Sequence, residues 1–95
     1  MTTEDYEWDD NKARENEKRH KISFKEAAAV FLDPSHVTFS DPVHSISEDR
    51  FIAIGRGIGG KLLAVVYTER GKMTRIISAR RATKSERRKY EEEKD

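Results

Sequence analysis

Three short apolar runs separated by glycine constrain this chain more than any other feature. Phe51–Gly55, Lys61–Thr68 and Met73–Ala79 are each rich in Ile, Val, Leu, Phe or Tyr, the side chains that suit a pleated, half-buried surface. Gly57, Gly59 and Gly60 lie between the first two runs and Gly71-Lys72 between the second and third, so both connections are short enough for hairpins. The pattern predicts an antiparallel meander. In the middle run Leu63, Val65 and Tyr67 face one way and Leu62, Ala64, Val66 and Thr68 the other, so this strand is apolar on both faces and belongs at the centre. Strict alternation in the last run puts Met73, Arg75, Ile77 and Ala79 on one face and Thr74, Ile76, Ser78 and Arg80 on the other. Each face then carries one arginine near an end.

The flanking segments read as helices and short strands. Tyr6-Glu7-Trp8 alternates aromatic with charged residues and predicts a brief strand at one edge of the meander, with Trp8 as a core anchor or, alternatively, a stacking surface for an RNA base. Asp9 caps a helix from about Asp10 to His20, with Asp10 near its positive end and Lys18 and Arg19 near its negative end. If Ala13 faces inward, Asn16, Glu17 and His20 share that face. Hydrogen-bonding groups there either tie loops together or line a site, and His20 is read both ways, as a structural residue and as a proton carrier beside a groove. Ser23 and Glu26 form a capping box ahead of Phe24, Ala27, Ala28 and Phe31 at core-helix spacing, ended by Asp33-Pro34. Ser35 to Asp49 is polar and loop-like, with a short strand at Val37–Phe39 and a turn at Asp41-Pro42. Thr83 and Glu86 form a second capping box, opening a helix to about Glu93 whose only large apolar residue is Tyr90. The fold class is therefore α+β: a small antiparallel sheet of three main strands plus one or two short ones, two N-terminal helices and one C-terminal helix, in one domain spanning residues 1–95.

Charge narrows the function. Charged residues make up 39% of the chain and apolar residues 35%, toward the polar end of globular proteins. The net charge of +1 hides a segregation: residues 1–49 carry six Lys/Arg against twelve Asp/Glu, whereas residues 50–90 carry twelve against two. A +10 block of this kind is a footprint for phosphate backbones. The alternative to that leading reading is a solvated surface neutralised by the acidic half. No cysteine is present, no apolar run approaches a membrane span, and the acidic start lacks a signal-peptide layout, so a cytoplasmic protein without membrane contact is expected. His36 and His44 are too isolated for a ligand set, so neither metal nor cofactor is expected.

Several segments together resemble the BrnT family of toxins from bacterial type II toxin–antitoxin pairs. They are Tyr6–Asp9, Lys12 and Asn16, Arg19-His20 with Ser23-Phe24, Ala27-Ala28 with Phe31, and Asp33-Pro34, continuing through Arg50, Ile54-Gly55-Arg56, Tyr67 to Gly71, Arg75 to Thr83, Glu86-Arg87 and Tyr90. Between the His and the Ser, members usually carry Gly-Val where this chain has Lys21-Ile22; a left-handed turn there is harder for lysine. The resemblance implies a RelE-like fold, a sheet with helices on one side, and a ribonuclease that arrests translation. It also implies a BrnA-type antitoxin, a ribbon-helix-helix protein, assembled two toxins to two antitoxins.

RNA cleaved through its own 2′-hydroxyl needs no metal, only a base for that proton, cations for the charge on the phosphorane and an acid for the leaving oxygen. The catalytic candidates are Glu69 or His20 as base and Arg75 and Arg80 as charge stabilisers. Arg56, Tyr67, Arg70, Arg81, Lys84, Arg87 and Arg88 are candidates for holding or positioning RNA, with Tyr67, Arg56 or Arg81 also read as the group that protonates the leaving oxygen. Arg80 at the strand end can fork two phosphate oxygens; its alternative is to pair with an acidic residue and pin the terminal helix. Glu69 reads alternatively as a turn residue and Arg75 as the partner of a surface carboxylate. A noncatalytic nucleic-acid-binding module and an adaptor with a basic docking surface are the competing functions.

Overall fold

The computed structural model describes residues 5–44 and 48–93. Strand β1 (Tyr6–Glu7) leads into helix α1 (Asp10–His20) and a short helix α2 (Phe24–Ala28), which tightens into a 3-10 turn over Ala29–Leu32. Strand β2 (Val37–Ser40) and a second 3-10 turn (Pro42–His44) precede β3 (Phe51–Arg56), β4 (Leu62–Arg70), β5 (Met73–Arg81) and helix α3 (Lys84–Glu93). The five strands form one sheet in the order β1-β5-β4-β3-β2, with β4 at its centre.

The meander from β2 to β5 is antiparallel, but β1 runs parallel to β5, with Tyr6 opposite Thr74 and Glu7 opposite Arg75. The sheet is mixed, which corrects the purely antiparallel expectation. A hairpin reveals strand direction in the sequence; β1 has none, and meets a partner 68 positions downstream after α1 and α2 have carried the chain across the sheet.

Local chemistry accounts for the helix ends. The Asp9 carboxylate accepts from the Asn11 and Lys12 amides, and those bonds hold its carboxyl below the usual aspartate range. Lys21 closes α1 at φ 61°, ψ 29°, donating its amide to the Glu17 carbonyl; it is the one non-glycine residue with positive φ among the described residues. The left-handed turn that lysine disfavours is therefore made, and it drops Ile22 into the core at 1% exposure. The Ser23 hydroxyl accepts the Glu26 amide at 3.0 Å to start α2.

Apolar side chains pack on both sheet faces. On one, Trp8, Ile22, Phe24, Ala27 and Val30 meet Ala53, Leu63, Val65, Tyr67, Ile76 and Ala79; Trp8 meets Phe24 edge-on at 6.0 Å, as a core anchor. A Cβ on Gly55 would lie 2.9 Å from that of His36, so glycine is what lets β3 approach the segment after the 3-10 turn. On the other face Ile54, Leu62 and Ala64 are covered by Tyr90 of α3. Helices therefore lie on both sides of the sheet, not on one, because the central strand is apolar on both faces.

A β-bulge overturns the face assignments read for β5. Val66 stands opposite Ser78 but Tyr67 opposite Ile76, so Ile77 is an extra residue. Ile76 and Ala79 thereby both enter the α1–α2 core. Arg75 and Arg80, each next to one of them in the chain, turn to the opposite face together. Strict alternation had separated them.

Candidate functional site

The bulged stretch of β5 is edge backbone, since β1 pairs only with Thr74 and Arg75. Asn16 takes the missing strand's place. Its side-chain amide donates to the Ala79 carbonyl at 2.9 Å and to the Ile22 carbonyl at 3.0 Å, and its oxygen accepts the Ala79 amide at 3.0 Å. Of the polar stripe read on α1, Asn16 is thus the residue that ties segments together, while Glu17 is exposed and His20 half-buried.

Two recesses meet at the bulge. On the sheet face away from α1, Arg50, Arg80, Asp41 and Ser78 surround a floor of Ile52 and Val66, enclosing about 330 Å³. Beside α1, Lys12, Glu15, Asn16, Arg19 and His20 line a second recess of about 240 Å³. Ile77 and Ser78 border both, so the bulge is their common wall.

Both strand arginines are held by carboxylates. Arg80 forks Glu86, Nη1 to Oε1 at 2.7 Å and Nη2 to Oε2 at 2.9 Å, and Glu86 Oε1 also accepts the Thr83 amide at 2.9 Å while Thr83 Oγ1 accepts the Glu86 amide. The Arg80 fork holds the Glu86 carboxyl below the usual glutamate range against the burial that opposes its charge; the same pairing raises the Arg80 pKa. The pair that pins the terminal helix is therefore present, and Arg80 still borders the recess. Arg75 donates to Glu7 at 2.6 Å, the surface-carboxylate partnership read as its alternative.

The other candidates lie elsewhere. Glu69 and Arg70 border a third recess of about 490 Å³ with Glu48, Asp49, Phe51 and Thr68, sharing no residue with the first two; Arg70 stands 3.9 Å from Glu48. Tyr67 is 7% exposed, wedged between Phe31 and Phe51 with ring centroids at 5.0 and 5.5 Å, and burial followed by the Glu69 charge pushes its hydroxyl up. Arg56 donates to the Gly60 carbonyl at 2.9 Å and stands 5.7 Å over the Tyr90 ring, so it helps to seat α3. Arg81, Lys84, Arg87 and Arg88 are exposed. Sequence reasoning did not single out Lys12, Glu15, Arg19, Arg50 or Ser78 as site residues. The helical stripe 12, 15/16, 19/20 was the available signal for the α1 set; for Ser78 there was none, because the bulge places it. Among the described residues no three His, Cys, Asp or Glu gather to hold a metal, and no helix is long and apolar enough to cross a membrane.

No curated protein sequence matches the chain. The crystal structure of the Brucella abortus ribonuclease toxin BrnT is similar in fold, with a TM-score of 0.68 at 28% identity, covering 86% of this chain and 100% of that one. The family model for the ribonuclease toxin BrnT of type II toxin–antitoxin systems matches residues 8–86, a span that takes in every helix start, the bulge and both recesses, and the chain belongs to that family.

Proposed function

We propose that this chain is a metal-independent endoribonuclease that cleaves RNA across the bulge of β5, acting in the cytoplasm as a single domain in a RelE-like use of sheet and helices. The observation that carries the reading is the shared wall of Ile77 and Ser78, which sets His20 on one side and Arg50 and Arg80 on the other of one continuous surface. His20 removes the 2′-hydroxyl proton; the 2′-oxygen bonds to phosphorus, and the bond to the 5′-oxygen breaks as that oxygen takes a proton from water. Arg80, with two of its five N–H groups engaged by Glu86 and a third by the Arg81 carbonyl, keeps two for the phosphorane oxygens. Glu69 stands in a recess that neither Arg50 nor Arg80 lines, so His20 is favoured over it as the base.

Cleavage of bulk RNA with and without excess chelator tests the chemistry: cleavage should persist. Activity lost with chelator and restored by a divalent ion would remove the metal-free mechanism. His20→Ala should lower the rate by about 10²–10⁴-fold, and Glu69→Gln should cleave at a near-normal rate. The antitoxin, read as BrnA-type in a two-to-two assembly, covers the exposed basic surface of Arg81, Lys84, Arg87 and Arg88. Co-expression with it should restore growth, and a footprint confined to residues 1–49 would overturn that mode of inhibition.

A second reading, a noncatalytic RNA-binding module, is favoured by one observation: Arg75 and Arg80 are each engaged by a carboxylate. It predicts RNA retained and never cut.

A further inference from the structure

We infer that the outer stripe of α1, Lys12 and Arg19 flanking Glu15, is a track for the backbone of single-stranded RNA on the α1 side of the cleaved bond. The inference rests on the ribonuclease reading for the identity of the bond and stands on four observations of its own. Lys12 and Arg19 are exposed, border the same recess as His20, and make no ion pair within 4.0 Å among the described residues, although Lys12 feels the charge of Asp9. Glu15 lies three residues after Lys12 and four before Arg19, the spacing at which helical ion pairs form, yet it is joined to neither by a described ion pair. Two cations are therefore available at the rim of a recess that continues across Ser78 to Arg80.

The spacing selects a polymer. Seven residues separate the two cations, roughly 10 Å along a helix axis, more than one phosphate spans, so each takes its own phosphate and the Glu15 charge disfavours a phosphate midway. The stripe is also rigid: Asn16, on the same helix, is bonded to both backbone groups of Ala79, which fixes α1 relative to the bulge. With the helix fixed, only the side-chain freedom of the two cations is lost on binding, not that of the backbone carrying them.

The shape selects a single strand. The recess is a junction between a helix and a strand edge, of about 240 Å³. A paired duplex keeps its two backbones apart around a deep, narrow groove that side chains cannot enter. An unpaired strand can lie along α1 and turn over Ser78.

The test uses the full chain and a 2′-O-methyl oligouridine, which lacks the attacking hydroxyl and reports binding alone. Wild type and the K12Q/R19Q variant are titrated over a salt series, with a duplex of the same length as competitor. Removing two phosphate contacts should flatten the log–log salt slope by about 1.4 on a single strand, and the charge-conserving K12R/R19K variant should restore most of it. The advantage of a long cleavable substrate over a dinucleotide should shrink in K12Q/R19Q. An unchanged slope, or duplex competing as well as single strand, overturns the track. If the double variant fails to fold, each single variant must lose about half the slope. Wild type that binds the oligonucleotide but cuts no RNA would instead overturn the ribonuclease reading, leaving the slope to judge the track.

Discussion

At the scale of single residues, two side chains do work that their types do not announce. Asn16 is 7% exposed and satisfies three backbone groups, two on Ala79 and one on Ile22. Truncating it strands buried donors and acceptors, each costing about 1–3 kcal/mol, so Asn16→Ala should destabilise by about 3 kcal/mol and lower Tm by roughly 12–24 °C. Thermal melting checks this; a loss below about 1 kcal/mol would mean that water replaces the bonds. Lys21 sits at φ 61°, where a side chain costs roughly 1–2 kcal/mol that glycine avoids. Glycine's greater freedom in the unfolded chain offsets part of that gain. Lys21→Gly should therefore raise stability by about 1 kcal/mol in urea unfolding, and a decrease would show that the left-handed turn costs lysine nothing here.

Helix α3 is the element whose attachment matters most, because its Glu86 holds the groove residue Arg80 and it has little apolar surface of its own. Tyr90 fills the second core at 2% exposure, and its hydroxyl donates to Asp33 Oδ2 at 2.8 Å, where the Arg56 amide also donates. Burial opposes the Asp33 charge, yet the Arg56 and Ser35 amides and the Tyr90 hydroxyl bring its carboxyl below the usual range. At the helix start the Arg80–Glu86 fork does the same for Glu86. A carboxyl whose folded pKa is lowered contributes stability above its unfolded value and loses it as pH falls through the folded one. Stability should thus decline below about pH 4.5, the ordinary value for Glu86, and further below 3.8, that for Asp33. Glu86→Gln should remove the first part of that decline in acid-unfolding curves. A wild-type acid profile retained in Glu86→Gln would place the titration elsewhere. Arg80→Ala should cost about 2 kcal/mol, since the pair is partly solvent-screened and its loss leaves Glu86 largely buried. Comparing the two variants in RNA cleavage separates roles: both lose the fork, and only Arg80→Ala loses the cation.

Across the whole molecule, the +10 block of residues 50–90 occupies β3 to α3, while the N-terminal half, at −6, supplies α1 and β1. Folding brings acidic Glu7 and Asp9 to the Arg75 end of β5, where Glu7 pairs with Arg75 and the Asp9 charge interacts with it. At the other end Arg80 takes the Glu86 carboxylate, and Arg81, Arg87 and Arg88 make no ion pair among the described residues. RNA affinity should therefore fall steeply with salt, and neutralising Arg81, Arg87 and Arg88 together should reduce the slope by about 2. A slope unchanged in that triple variant would place the RNA away from α3.

The sequence by itself determined the local structure: the meander with its central two-faced strand, α1 from Asp10 to His20, the Ser23 helix cap, the reciprocal Thr83–Glu86 capping box, the brief β2 and the family. Periodicity, caps and glycine turns are written within a few residues of where they act. The direction of β1, the helix on the second face and the joining of the two recesses were decided only by tertiary structure. A parallel partner 68 positions away leaves no local mark, and Ile77, one extra residue in a run of β-formers, looks like any other until its partner strand is beside it. That one-residue slip turned Arg75 and Arg80 to the same face, because side-chain alternation has period two and a single insertion reverses everything beyond it.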